Sequence, residues 1–323
     1  MFDVISIGAG TRDVFLVSRK FQMVKSPKFS TGIGECVALG AKIDIEDMVH
    51  TTGGGATNAA ATFARLGLNS ATVCRVGDDA IGRDLIIDLH REGVVTTLIQ
   101  RVAGGVTGYS TLLTDAKSGE RTVLVYRGVS ASFDAVDIPW DECASKWFYI
   151  TSLGGNVPLT KKIVAHADWC GAAVAWNPGG GELKKGMGAI EGMLPRVQVL
   201  MMNREEAQLL TGRDEIERMF ERLATNGNVV LITDGERGSY AHRDGKSWFA
   251  GTAGSKAVSR TGAGDAFGSG FVAAFMKTKD VPTALAVGTL NADSVIRKIG
   301  AKSGILSRWP SKASLKRVSI KKL

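Results

Sequence analysis

The chain has 323 residues, 44% of them hydrophobic and 22% charged, with a formal net charge of +8. That is ample material for one large core or two modest ones, and too apolar for a disordered chain. No run of about 18 apolar residues argues for a membrane span, and the four scattered cysteines (Cys36, Cys74, Cys143, Cys170), with no C-x-x-C pair, fit reduced thiols in a cytoplasmic protein.

The start, "FDVISIG", reads as a short buried strand ending at Gly8, without the basic n-region of a secretory leader. Residues 13–50 read as irregular. "TTGGGATNAAATFARLGL" is a glycine turn into an alanine-rich helix that stops at Gly67. "SATVCRVG" is strand-like and "DDAIGRDLIIDLHREG" helical. From Val94 to Ser130, β-branched segments alternate with turns, which predicts a β-rich insert with a hairpin at Ser118-Gly119. Strand and helix then alternate. "KWFYITSL", "AAVAWNPG", "VQVLMMN" and "NVVLITDG" are strands; "LTKKIVAHADWCG" and "REEAQLLTG" are helices. "GSYAHRDGKSWFA" reads as a hairpin, followed by a helix from about Gly264 and one or two more in "DVPTALAVGTLNADSVIRKIG". Short apolar strands alternating with helices predict a doubly wound, mostly parallel α/β sheet with a small β appendage. Six basic residues and no acid lie between Ser307 and Leu323. That stretch reads as a solvated basic tail, 307–323, behind a domain spanning 1–306. The body carries no basic stripe interleaved with aromatics, so nucleic acid is not an expected partner, nor is a membrane.

Glycine turns dominate the candidate sites. A Walker loop is excluded, because the "GKS" at Gly245 to Ser247 has Tyr240 where the leading glycine belongs. A dinucleotide fingerprint at Gly8 and Gly10 lacks its third glycine, with Asp13 in its place and no convincing helix behind. His50, His90, His166 and His242 show no metal-ligand spacing, and no G-x-S-x-G hydrolase signature is evident. In "SRTGAGDAFGSGF", Gly262 and Gly264 suit a tight turn, while Ala266, Phe267, Gly270, Phe271, Ala274 and Phe275 repeat at helical spacing. Such a turn aims free backbone N–H groups at one point and can hold an anion. Asp265 would then face a nucleophile and act as its base, a combination suited to phosphoryl transfer. The same residues also fit a plain helix start with an acidic first turn, and by themselves they leave both readings open. Gly268-Ser269-Gly270, inside the helix, reads as close packing.

"TGAGDAFGSGF" resembles the C-terminal signature of the ribokinase/PfkB family of carbohydrate and nucleoside kinases, and "GGGATNAAATFARLG" (Gly53 to Gly67) its N-terminal signature. "NREEAQLLTG" is similar to the family's Asn-x-x-Glu element and "ITDGERGS" to its Thr-x-Gly turn. The likeness covers the chain from Asp3 to about Ser307. It implies a ribokinase-like fold with a lid built from about residues 14–40 and 102–130, and ATP-dependent phosphorylation of a sugar hydroxyl, with a nucleoside as the alternative acceptor. A non-catalytic binding protein on the same scaffold is a more remote alternative.

Carried over residue by residue, the resemblance makes Asp265 the base and Gly262, Ala263 and Gly264 the anion hole. Asp13, Gly54, Gly55 and Asn58 fall on the substrate side, with Arg127 placed to meet an anionic group of the substrate. Asn203 and Glu206, three apart on one helix face, would organise Mg²⁺ through water. Thr233 and Gly235 would line the nucleotide side, with Asn291 near the adenine. Several family members clasp their lids into homodimers, which makes a homodimer an expectation here. Two departures stand out. Potassium-activated members carry Asp-Thr-Thr where this chain has Ser259, Arg260 and Thr261, which puts monovalent-cation activation in doubt. The glutamate that helps ribokinases hold ribose falls on Leu153 or Gly154, so ribose itself is not implied.

Overall fold

The computed structural model describes residues 1–29, 31–118 and 120–323. Its backbone is a nine-stranded sheet. Six strands run parallel: Ser70–Val73, Phe2–Ile7, Ser145–Ile150, Ala173–Trp176, Val199–Asn203 and Val229–Thr233, in that spatial order. The hairpin Ser239–Arg243/Lys246–Ala250 continues the sheet antiparallel, and the short strand Ile320–Lys322 forms its edge. Parallel strands are buried on both faces, and the pleat sends alternate residues to opposite sides. Ile5, Ile7, Phe148 and Ile150 therefore enter one core, while Val4 and Tyr149 enter the other. The second core is filled mainly by the helices Ala263–Thr278 and Val281–Val295.

Local chemistry explains where helices begin. Asp79 caps Ala80–Arg91 by accepting from Gly82 N, and Asp280 caps Val281–Val295 by accepting from Thr283 N. The Gly55–Arg65 helix has no side-chain cap; it is entered through Gly54 at φ +94°, where a Cβ would lie 2.3 Å from the Ala9 carbonyl oxygen. Only glycine fits there. The small residues inside Ala263–Thr278 are packing positions, as expected: a Cβ on Gly268 would strike Met201 and Tyr149, and one on Gly270 would press on Asn291.

Residues 13–50, expected as irregular, contain four strands, a correction that follows from tertiary pairing. Thr11–Ser18 lies between Asp47–Gly53 and Gly108–Asp115, with Arg121–Tyr126 beyond, in a four-stranded second sheet; Gln22–Lys25 and Ile33–Cys36 form a hairpin. This sheet takes in Asp47–Gly53, outside the expected 14–40 and 102–130. Polar and apolar residues alternate weakly here because much of the sheet faces solvent, so its strands carry little periodic signal. Gly108–Asp115 and Arg121–Tyr126 are antiparallel; of the turn expected at Ser118-Gly119, Gly119 lies outside the described residues.

The segment 307–323 is also corrected. Trp309 takes the Lys277 ammonium over its ring at 4.5 Å, Val318 is buried, and Ile320–Lys322 pairs with Trp248–Ala250. Its lysines project from an edge strand, where charge discourages further pairing. No helix among the described residues is long and apolar enough to cross a membrane.

Candidate active site

The carboxyl ends of the parallel strands, where α/β sheets commonly bind ligands, open into a cavity of about 360 Å³. Three parts of the chain converge on it. Gly262, Gly264 and Asp265 come from the start of the Ala263–Thr278 helix, Asn203 and Thr233 from the ends of two central strands, Glu206 from the first turn of the Arg204–Thr211 helix, and Gly55 and Arg127 from the second-sheet side. Thr151, Ser152 and Asn177, just past the ends of the central strands Ser145–Ile150 and Ala173–Trp176, also line it.

Gly262 caps its helix with φ +80° and no side-chain cap. A Cβ there would lie 2.5 Å from the Cβ of Ala301 and 2.7 Å from its Cα. The N–H of Ala263 turns back to the Arg260 carbonyl at 3.3 Å. Those of Gly262, Gly264 and Asp265 find no backbone acceptor in the turn, leaving donors at a helix N-terminus facing the cavity. Ala263, expected with its two neighbours as an anion hole, spends its N–H on Arg260 and does not line the cavity.

Asp265 is fixed by Asn58, whose Nδ2 donates to Asp265 Oδ2 at 2.8 Å. Burial pushes the Asp265 carboxyl above its ordinary value; the Asn58 hydrogen bond and the Lys302 ammonium pull it back, and Asp13 adds to the rise. Asp13 is buried on the Thr11–Ser18 strand and accepts from Thr11 Oγ1 at 3.0 Å. Its carboxylate lies over Gly53, where a Cβ would come within 1.9 Å of Asp13 Oδ2. Asp13, Gly54 and Asn58 therefore sit behind the cavity on the side of the second sheet.

Asn203 and Glu206 form a capping box: Asn203 Oδ1 accepts from Glu206 N at 2.8 Å, and Glu206 Oε2 accepts from Asn203 N at 2.9 Å. Burial raises the Glu206 carboxyl above its ordinary value, and Glu206 has no ion-pair partner among the described residues. Gly235 follows Thr233 in a turn with φ +56° and does not line the cavity.

Asn291 is corrected from the adenine side to a packing role. It is wholly buried between helices, donates to Thr62 Oγ1 and the Ala266 carbonyl, and accepts from Leu306 N. A buried amide with its groups so committed has little left for a ligand.

Sequence reasoning missed two buried charged residues. Glu182, wholly buried, accepts from the backbone N–H groups of Leu153, Gly155 and Gly179 and from Ser152 Oγ. It ties the loop at Leu153-Gly154, which has no acid of its own, to the next strand's exit. Lys302 reaches Asn58 from the turn after the Val281–Val295 helix. Glu182 directly follows Gly179-Gly180-Gly181 and Lys302 lies between Gly300 and Gly304, but neither falls in a motif read for chemistry, so nothing local flagged them.

A carboxylate held beside free helix-start amides, facing an acidic residue across one cleft, is the layout of a phosphoryl-transfer site. The sequence profile of the pfkB family carbohydrate kinases matches residues 33–308. An uncharacterised sugar kinase of Archaeoglobus fulgidus is 31% identical over 253 residues, covering 75% of this chain and 97% of that protein. An ATP-dependent ribose-1-phosphate kinase of Halopiger xanaduensis is 32% identical over 254 residues, covering 77% and 82%. The crystal structure of adenosine kinase from Sinorhizobium meliloti shares the fold, with a TM-score of 0.76 at 22% identity over 95% of this chain and 97% of that one. The chain belongs to the pfkB family of carbohydrate kinases. It is a sugar or nucleoside kinase on a ribokinase-like fold, in a family that uses ATP.

Proposed function

We propose that this protein transfers the γ-phosphoryl group of ATP to a hydroxymethyl group of a sugar. The observation that carries the reading is the Asp265–Asn58 pair: a half-buried carboxylate, oriented by an amide, beside the open amides of Gly262 and Gly264 at one cavity. Asp265 accepts the proton as the sugar oxygen attacks in line. The amides of the glycine turn take the charge spread over the equatorial phosphoryl oxygens. Asp13 accepts hydrogen bonds from other sugar hydroxyls, Gly55 borders the cavity on that side, and Arg127 meets an anionic substituent where the sugar carries one. Thr233 and the Gly235 turn border the nucleotide.

Glu206 fits magnesium held through water: it is a desolvated carboxylate on the cavity wall, with one oxygen used by the capping box and the other free. Asn203 stands beside it, and the ion supplies charge neutralisation for the phosphates. A sugar is favoured over a nucleoside because no aromatic ring among the described residues lines the cavity to stack a purine acceptor. The second sheet acts as the lid, excluding water from the transfer. Its outer strand exposes Val123, Leu124, Val125 and Tyr126 in sequence, a surface suited to the same strand of a second copy.

The test is ADP release from Mg-ATP across sugars, sugar phosphates, sugar acids and nucleosides, with and without potassium. One strong sugar responder supports the reading. A nucleoside responder transfers the site to that class, and silence with ATP bound points to a binding protein.

A further inference from the structure

Lys302 is 6% exposed, with its ammonium enclosed by the start of the Gly55–Arg65 helix. An ammonium carries three donors, and here each finds a protein oxygen: the Thr52 carbonyl at 2.9 Å, Thr57 Oγ1 at 2.9 Å and Asn58 Oδ1 at 2.8 Å. The third contact decides which way the Asn58 amide points. With its oxygen on the ammonium, its Nδ2 faces Asp265 Oδ2 and donates to it. The flipped amide would set NH₂ against NH₃⁺ and oxygen against carboxylate, losing two charge-assisted bonds at once.

A buried lysine without a carboxylate in direct contact is costly, and a packing position would be filled better by Met or Leu. The charge is instead balanced at longer range. Burial pushes the Lys302 ammonium down to about 8, against Asp13 on the lid strand, Asp265 on the glycine-turn helix, and Glu92 and Asp88 on the Ala80–Arg91 helix, all of which favour its charged form. The Cys74 thiol, also nearby, is pushed up to about 12 and stays neutral. The backbone that carries the lysine is clamped as well. Gly300, at φ +100°, leaves no room for a Cβ beside Thr51, and Ala301 packs on Gly262.

We infer, resting on the phosphotransfer reading above, that Lys302 is a positioning residue, holding the Asn58 amide in the orientation that pins Asp265 Oδ2 and setting a fixed positive charge behind the site. The other carboxylate oxygen is left for the acceptor hydroxyl. Lys302 itself exchanges no proton in the transfer; the hydroxyl proton passes to Asp265. Its clamped backbone also couples the glycine turn to the substrate-side helix, so one residue links the two halves of the site.

The experiment compares wild type, Lys302→Met, Asn58→Ala and the double variant on the best acceptor of the panel. Lys302→Met is expected to lower kcat about 10- to 100-fold and to move the acid limb of its pH profile upward, because Asp265 loses a neighbouring cation. The double variant should fall no further than Asn58→Ala alone. A merely structural lysine would lower thermal stability and leave the acid limb in place. Wild-type kcat and limb in Lys302→Met, or additive losses in the double variant, overturn the inference. Should the Met variant fail to fold, the wild type answers by NMR. The Asn58 Nδ2 protons and the Asp265 carboxyl carbon should shift together, with one midpoint near that of the Lys302 ammonium; no common shift overturns it. Wild type silent on every acceptor would defeat the phosphotransfer reading, while the NMR titration would still judge whether Lys302 holds Asp265.

Discussion

Replacing Asp265 by Asn separates the chemistry of the site from its architecture. The substitution keeps shape and an acceptor oxygen, so Asn58 Nδ2 can still donate across 2.8 Å. It removes the proton acceptor, and general-base catalysis of this kind accounts for about 10²- to 10⁴-fold in rate, or roughly 2.7–5.5 kcal/mol of barrier. Turnover should fall by that factor. ATP binding should persist or tighten, since a negative charge beside the phosphates is gone. Stability should move the opposite way to activity. Burial is the largest influence on Asp265 and its carboxyl is raised in the folded state. The folded protein then holds this proton more tightly than the unfolded chain, a contribution that is full below the ordinary value of 3.8 and lost as pH rises through the folded value. At neutral pH the carboxylate is therefore a cost, and the Asn variant should melt higher. The assays are ADP release, ATP titration by calorimetry and thermal melting at pH 7. Turnover within tenfold of wild type would refute the role of Asp265 as base; a lower melting temperature would refute the electrostatic account.

For wild type, kcat should decline on the acid side through a value above the usual Asp range, because Asp265 must be ionised to act; a limb at or below 3.8 in a pH–rate profile contradicts this. Gly262→Ala places a Cβ 2.5 Å from that of Ala301 at φ +80°; left-handed strain and overpacking together should cost about 2–4 kcal/mol, and an unchanged urea midpoint would show that the turn has slack. Glu206→Gln keeps the capping-box acceptor but not the charge, so the Mg²⁺ concentration for half-maximal rate should rise about 10-fold or more at unchanged stability, and an unaltered Mg²⁺ titration would remove Glu206 from the metal's surroundings. Deleting Val318–Leu323 strips a buried valine and an edge strand, a loss of about 2–4 kcal/mol by denaturant titration, whereas equal stability would return the segment to a dispensable tail. Leu124→Asp on the exposed lid strand should yield a monomer in sedimentation if two copies pair there, and a wild type that is already monomeric ends the dimer reading.

The parallel sheet and its helices were legible because each central strand buries both faces in a short apolar run and the helices are longer runs, amphipathic as in Ile216–Leu223 or apolar throughout as in Ala263–Thr278. The glycine turn at Gly262–Gly264 and the Asn203–Glu206 spacing on one helix turn are local too, while the capping box those two form came only from the structure. Thr11–Ser18 and Asp47–Gly53 were not legible, since half-solvated strands alternate weakly and their partners lie about 30 to 100 residues away. Ile320–Lys322 read as a tail because charge on an edge strand looks like charge on a free end. Asn291 shows the reverse error: an amide on a helix has no address until packing shows what surrounds it. Lys302 is the clearest case. Its three bonds reach residues more than 240 positions earlier in the chain, so its meaning depends on the packing of a C-terminal turn against an N-terminal helix. The sequence by itself pointed to the reaction class through its resemblance to a kinase family, carried by motifs that are local in the chain. Only the tertiary structure decided that Lys302 meets Asn58 and Asn58 meets Asp265, because a buried ammonium bonds to whatever oxygens the fold brings within 3 Å.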